Sequence, residues 1–384
     1  MQHELFRPLD EGVRAALRDI PALIDTLFPL PGRFRAGLPG DVRTLSHLLT
    51  DERDSRKDGY LGKDALHSAY LRYFLPWNIY RLARLLPSLP LALNDGDVVL
   101  DLGSGPLTLP IALLLSRPEL RPLSLEIRCV DRTPKILDAG AQLFETLREA
   151  FPCNWRIKTI RASFGDRQFV AGRPDTQKAR LVCAANLLNE LTRDRTVAPE
   201  ARARQNADLL ASLGNEKASI LIVEPGTPPS ARDLSALRTH FISSGWRPAS
   251  PCPHTGTCPL PGGKGKKWCH FAFDDSGAPQ SLRQLSAAAG IPKERVTLSF
   301  LLMTRDAAVP APQKTTSGEL VRVVSDGFAV PGQGWGRYAC SKAGLVLVVG
   351  QKFAVEKLAS GSLVRLPPST GERDARSGAW IIRL

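Results

Sequence analysis

The run Val98-Val99-Leu100-Asp101-Leu102-Gly103-Ser104-Gly105-Pro106 constrains this chain more than any other feature: an apolar strand ends in a glycine turn and passes at once into an apolar helix. A strand apolar on both faces must be covered on both faces, which is the situation in a parallel sheet with helices on either side. Similar apolar runs at 127–130, 181–185 and 220–223 alternate with helix-like segments. The expected core is therefore an α/β, doubly wound, Rossmann-type sheet. In such sheets ligands sit at the carboxyl ends of the strands. Gly103 and Gly105 would let the backbone approach a ligand at a helix N-terminus, and Asp131 ends the next strand, where a carboxylate can accept from ribose hydroxyls. Asn186 and Glu190 follow the fourth strand and Glu224 ends the fifth, so these too are candidates for the ligand edge.

Four segments are expected. Residues 1–92 read as helical, with Val13, Leu17, Ile20, Leu23, Ile24 and Leu27 at helical spacing before Pro29 and Pro31. A charged loop is expected at 51–58. Tyr70, Tyr73, Trp77 and Tyr80 then share one helical face, either a packed cover over the core or a base-stacking surface; Pro76 should kink or split that helix. Residues 93–248 form the core and 249–294 a cysteine-rich metal-binding insertion. Residues 295–384 are expected to supply strands that complete the core and a fourth cysteine.

Cys252, Cys258 and Cys269 lie in a stretch rich in proline and glycine, and Cys340 follows much later. The intervening stretches of five, ten and seventy residues match neither a paired CxxC zinc ribbon nor a compact ferredoxin run. Irregular loops bearing thiolates suit a soft centre, zinc or iron–sulfur, and His254 and His270 stand by as a substitute ligand or as hydrogen-bond partners. Cys129, Cys153 and Cys183 read as small packed residues. The chain has an odd cysteine count, no basic and apolar leader and no run long enough to span a bilayer, so a cytoplasmic protein without a membrane or disulfide framework is expected. Its 51 Lys and Arg against 38 Asp and Glu leave +13, a field that favours polyanions. Lys264, Lys266 and Lys267, between two of the cysteines, are the candidate RNA-binding residues, with a plain solvated loop as the alternative.

The strand, turn and Asp131 together resemble the class I S-adenosylmethionine-dependent methyltransferases. Leu107 stands where their third glycine would be and is expected to narrow the ligand pocket. The turn lacks the GxGxxG spacing of a NAD-type dehydrogenase. No Asn-Pro-Pro-aromatic turn for amino-group methylation is present, and Cys183 lies within an apolar run rather than at a reactive edge. The resemblance implies S-adenosylmethionine held by Asp101, Gly103, Gly105, Asp131 and Asn186.

With Pro251-Cys252-Pro253-His254, Cys258-Pro259, Trp268-Cys269-His270-Phe271 and Cys340-Ser341-Lys342, the chain looks like the Rsm-type mitochondrial small-ribosomal-subunit proteins and their bacterial relatives, methyltransferase-like assembly factors. That resemblance implies a [4Fe–4S] cluster on Cys252, Cys258, Cys269 and Cys340, with zinc as the alternative, and the small ribosomal subunit and its rRNA as partners. It leaves three functions in view: an rRNA-binding assembly factor, an active methyltransferase on rRNA or a ribosomal protein, and an iron–sulfur redox or iron sensor.

Overall fold

The computed structural model of the protein describes residues 3–50, 63–166, 177–191, 197–263, 267–309 and 318–384. The charged stretch 51–58 and the lysines Lys264 and Lys266 lie outside the described residues.

In chain order the strands are β1 (Val98–Leu102), β2 (Glu126–Asp131), β3 (Arg156–Arg161), β4 (Ala179–Ala185), β5 (Gly214–Glu224), β6 (Arg247–Ser250), β7 (Phe271–Asp274) and β8 (Arg295–Thr304), followed by β9 (Glu319–Val323), β10 (Phe328–Val330), β11 (Gly334–Ser341), β12 (Gly344–Gly350), β13 (Leu363–Leu366) and β14 (Trp380–Arg383). The main sheet has the order β3-β2-β1-β4-β5-β8-β6, with β7 also on β8. Strands β1 to β5 are parallel, and β8 runs antiparallel to β5, β6 and β7. This mixed sheet is the class I methyltransferase-like α/β fold. All five residues of β1 are buried, because helices cover both of its faces.

Strand β8 explains where the cysteine-rich segment sits. Its Leu302 to Thr304 end pairs with β6 and its Arg295 to Leu298 end with β7, so β6 and β7 lie end to end along one long strand. The chain between them, from Pro251 to His270, leaves the sheet edge as a loop excursion. Cys252 and Cys269 stand at the two sides of that gap.

Of the C-terminal strands only β8 joins the main sheet. Strands β9 to β14 instead build a second sheet of order β13-β9-β11-β12-β14, with β10 on β11. One face buries Val321, Val323, Ala339, Val346 and Val348, and the other buries Val330, Leu347, Val349 and Ile381. This period-2 alternation lets a small sheet hold its own core, so these strands had no need to extend the first sheet.

The N-terminal helices Glu11–Leu27, Leu38–Thr50 and Leu75–Leu85 cover the main sheet. Tyr73, Trp77 and Tyr80 are at most 3% exposed, and the Trp77 indole N–H donates to Ser286 Oγ at 3.2 Å. The aromatic stripe is therefore packed cover, and its base-stacking reading falls. Pro76 does not split the helix: a π-helical turn over Tyr70–Phe74 precedes it, and Pro76 sits in the first turn of the following helix. There its missing N–H and its ring are tolerated. Among the described residues no helix is long and apolar enough to cross a membrane.

Candidate functional site

The first candidate site forms at the carboxyl ends of β1, β2, β4 and β5. Gly103 and Gly105 have φ of +66° and +54°, values that carry no steric cost for glycine. The turn is tied to the second strand twice: Ser104 N–H donates to Val130 O at 2.9 Å, and Gly105 N–H donates to Asp131 Oδ2 at 3.1 Å. Thr133 N–H donates to Asp131 Oδ1 at 2.9 Å. A carboxylate offers roughly four acceptor positions, so these two bonds leave about half of them open.

Leu107 keeps the left-handed conformation expected of a glycine, with φ of +54°. Its side chain is fully buried in the hydrophobic core, so it does not narrow a ligand pocket. The residue that does crowd the turn is Leu187: its Cδ1 lies 2.8 Å from the position a Cβ on Gly103 would take. From the other direction, a Cβ on Gly105 would meet only the Tyr70 hydroxyl, at 3.7 Å.

Asp101 lies beneath the turn at 1% exposure and accepts from Ser104 Oγ at 2.5 Å. Burial raises its carboxyl to about 7, against the pull of the Ser104 hydrogen bond. The folded protein thus holds this proton more tightly than the unfolded chain does, so the contribution to stability is complete below about pH 4 and is lost as pH rises to about 7. Asp101→Asn should remove that part of the decline, on the order of 2–3 kcal/mol between pH 5 and pH 8. Urea unfolding at the two pH values measures it. Equal pH slopes for variant and wild type would mean that Asp101 does not carry the effect.

Asn186 and Glu224 complete the edge. Asn186 is also left-handed, with φ of +57°, and its Oδ1 accepts from Arg81 at 3.3 Å. Glu224 is 2% exposed and raised to about 7 by burial. It accepts from Leu188 N–H at 2.9 Å and Asn189 Nδ2 at 2.5 Å, which holds the segment after β4 against the end of β5. Cys183 is buried and its thiol is pushed far above the ordinary range, so it is no nucleophile.

The second candidate centre lies where the loop between β6 and β7 meets β11. Burial raises the Cys252, Cys269 and Cys340 thiols, and the charges of their cysteine neighbours, Cys258 included, raise them further. The four cysteines therefore share one neighbourhood. Arg322, opposite Cys340 across the β9–β11 pair, donates to Pro251 O at 2.8 Å and to Gly361 O at 2.7 Å. Arg238 donates to His254 O at 2.6 Å, and His254 Nε2 lies 3.2 Å from Cys340 Sγ. His270 instead stacks on Trp268 with centroids 4.9 Å apart.

A single tetrahedral zinc ion needs sulfurs about 2.3 Å from the metal and hence about 3.8 Å from one another. Among the described residues no group of three or more His, Cys, Asp or Glu is gathered so that it could hold a metal ion. The expected insertion is therefore not a preformed metal site, for a cluster or for zinc, among the described residues.

Sequence reasoning missed Arg81, Arg322 and Gly140. Arg81 and Arg322 bridge segments far apart in the chain and carry no local motif. A Cβ on Gly140 would lie 2.3 Å from the Pro106 carbonyl carbon, so the Pro134–Ala150 helix packs directly on the glycine turn. A helix-interior glycine was the only available signal.

Several methyltransferases are among the solved structures to which the chain is similar. A putative class I S-adenosylmethionine-dependent methyltransferase from Listeria monocytogenes is 9% identical over 80% of this chain and 90% of that one, with a TM-score of 0.38. The precorrin-6y C5,15-methyltransferase of Geobacter metallireducens is 12% identical over 57% and 84%, with a TM-score of 0.31. Fibrillarin of Aeropyrum pernix, solved with natively bound S-adenosyl-L-methionine, is 16% identical over 45% and 68%, with a TM-score of 0.29. No curated protein sequence matches the chain. Residues 96–331, which run from the glycine turn through the loop bearing three of the cysteines, match the family described as mitochondrial small ribosomal subunit Rsm22, and the chain belongs to that family.

Proposed function

We propose that this protein is an assembly factor that binds the rRNA of the immature small ribosomal subunit, with its methyltransferase-like core serving chiefly as a scaffold and a [4Fe–4S] cluster bracing the loop between β6 and β7. Family membership carries the ribosomal part of this reading. The net charge of +13 supports RNA as the contacted component. Lys264 and Lys266 belong to the proposal by sequence alone, and the described Lys267 is exposed.

What supports a cluster is the chemistry of the donor set: four thiols from two loop ends, a loop and a strand share one buried neighbourhood, and thiolates favour a soft centre. Bound there, the cluster would supply a covalent cross-link between the loop and the second sheet. Cys252, Cys258, Cys269 and Cys340 would hold it, with Arg238 and Arg322 offsetting thiolate charge. His254 would stand beside Cys340 as a hydrogen-bond partner.

S-adenosylmethionine fits the first site. Gly105 leaves room for close approach of the cofactor's edge, while Leu187 fills the space beside Gly103, and Asp131 keeps acceptor positions for ribose hydroxyls. Asp101 would hold the turn and Asn186 would face the reacting end. An active methyltransferase is the second reading, favoured by this fit; the lack of a recognisable catalytic motif in the sequence and the Leu187 contact over Gly103 favour the scaffold.

Calorimetry with S-adenosylmethionine, paired with co-sedimentation on immature small subunits over a range of salt, tests both parts. Asp131→Ala should weaken the cofactor roughly tenfold or more, since two charge-assisted hydrogen bonds and the brace on Gly105 are lost together. Wild-type binding to subunits should fall steeply with salt. Unchanged cofactor affinity in Asp131→Ala defeats the pocket assignment, and absence of subunit binding defeats the assembly reading.

A further inference from the structure

Where the cysteine-bearing loop meets the second sheet there is a groove of about 630 Å³. Its floor is one face of β10, β11 and β12, where Phe328 and Tyr338 lie over the buried Leu347. Pro259 and Pro261 of the loop form one wall, and the turn carrying Asp374 and Arg376 forms the other. The Phe328 and Tyr338 rings lie 5.0 Å apart at 30° and are only half-buried. The inner parts of both rings pack on the buried Val330, Leu347 and Val349 of the same face, which fixes them in place and leaves their outer parts to line the groove.

The charges around the groove are mainly positive. Lys267 Nζ lies 4.0 Å above the Tyr338 ring, and Arg376 is exposed on the rim. The acidic lining residue, Asp374, is engaged in its own turn: its Oδ2 accepts from Ser377 N–H at 2.8 Å and from Ser377 Oγ at 2.5 Å. An aromatic step flanked by two cations matches the combination that recognises an unpaired nucleotide, base on the rings and phosphate on the cations. A duplex keeps its base faces stacked internally and has none to offer.

We propose that this groove binds a nucleotide of single-stranded RNA, its base against Tyr338 and Phe328 and its phosphate at Lys267 and Arg376. The proposal rests on the reading that rRNA is the partner, and narrows that partner to an unpaired segment. Lys267 covers the Tyr338 ring in the free protein. An exposed cation–π contact is weaker than base stacking on an aromatic ring, so an arriving base displaces the ammonium, which is then free for the phosphate. Since Pro259 follows Cys258 directly, the loop held at the cysteine centre is also the groove wall.

The test uses the full chain and labelled oligouridylate and oligoadenylate, single-stranded and annealed, with fluorescence anisotropy over a range of salt. Single strands should bind more tightly than the duplex. Tyr338→Leu should lose roughly tenfold in affinity with little change in salt slope, and Tyr338→Phe should retain binding, because stacking is the lost interaction. Arg376→Glu, at an exposed side chain, should lower the salt slope by about 0.7 or more. The proposal is overturned if wild type prefers the duplex, or if Tyr338→Leu binds single strands as wild type does while circular dichroism shows both folded. Co-sedimentation of wild type with small subunits reports on the assembly reading alone, so the two can fail separately.

Discussion

Anaerobically purified protein is expected to contain iron and acid-labile sulfide in equal amounts, and Cys340→Ser is expected to lose nearly all of both. Cys340 is the most discriminating of the four because it sits in β11, paired to Leu345 on one side and Arg322 on the other. Those backbone bonds persist without any metal, so serine tests ligation rather than strand formation. The loop is different: among its described residues from Pro251 to His270, regular pairing is limited to the bridge between Pro261 and Trp268. Without a cross-link it is held by side-chain hydrogen bonds such as those of Arg322, Arg238, Trp268 and Ser299 and by the buried Leu260. If the centre contributes about 3 kcal/mol, as a modest fraction of what structural metals supply, its loss lowers Tm by roughly 6–12 °C. Cys153→Ser, away from the centre, should leave metal content unchanged. Stoichiometric zinc without sulfide in the wild type, or full iron retained in Cys340→Ser, would refute the cluster.

The sequence was most legible where one local pattern answers to one physical demand. A strand covered on both faces has to be apolar, so β1, β4 and the 218–223 part of β5 announced themselves as a parallel sheet, while β2 showed only a run at 127–130 interrupted by Arg128. The glycine turn was equally plain. Strands β9 to β14 were harder: an alternating strand reads the same whether it extends one sheet or founds another, and only the pairing partners decide. The left-handed Leu107 shows a different limit. Residue type argued for a side chain in the pocket, yet the backbone keeps the glycine-like conformation and the leucine is buried on the other side, where its burial of roughly 2 kcal/mol or more offsets a strain of about 1–2 kcal/mol. The cysteines were legible as a group because loops rich in proline and glycine wrap a centre more readily than they form regular structure. Their neighbours Arg322 and Arg238 were not, since a cation opposite a thiol in space leaves no trace in spacing.

Gly140→Ala is expected to destabilise the protein by about 2–4 kcal/mol, lowering Tm by roughly 5–15 °C, and to weaken S-adenosylmethionine binding with it. Helix propensity alone predicts the opposite, a gain of about 1 kcal/mol for alanine over glycine inside the Pro134–Ala150 helix. Geometry decides against that gain. The new methyl would sit 2.3 Å from the Pro106 carbonyl carbon and 2.7 Å from its Cα, whereas carbon atoms rest at about 3.5–4.0 Å. Both atoms are backbone, so no side chain can swing aside. The helix cannot retreat cheaply, because Ile136, Leu137, Leu143 and Phe144 are locked into the core at 2% exposure or less. The turn is the weaker side, held by Ser104 N–H on Val130 O and Gly105 N–H on Asp131, and it should move, taking the cofactor edge with it. Gly40→Ala provides the contrast. It lies in the Leu38–Thr50 helix with nothing within 4 Å of the added Cβ, so there propensity acts unopposed and stability should rise by about 0.5–1 kcal/mol. Thermal unfolding of the two variants should therefore shift in opposite directions; if both rise, the Pro134–Ala150 helix does not bear on the glycine turn as closely as the fold requires.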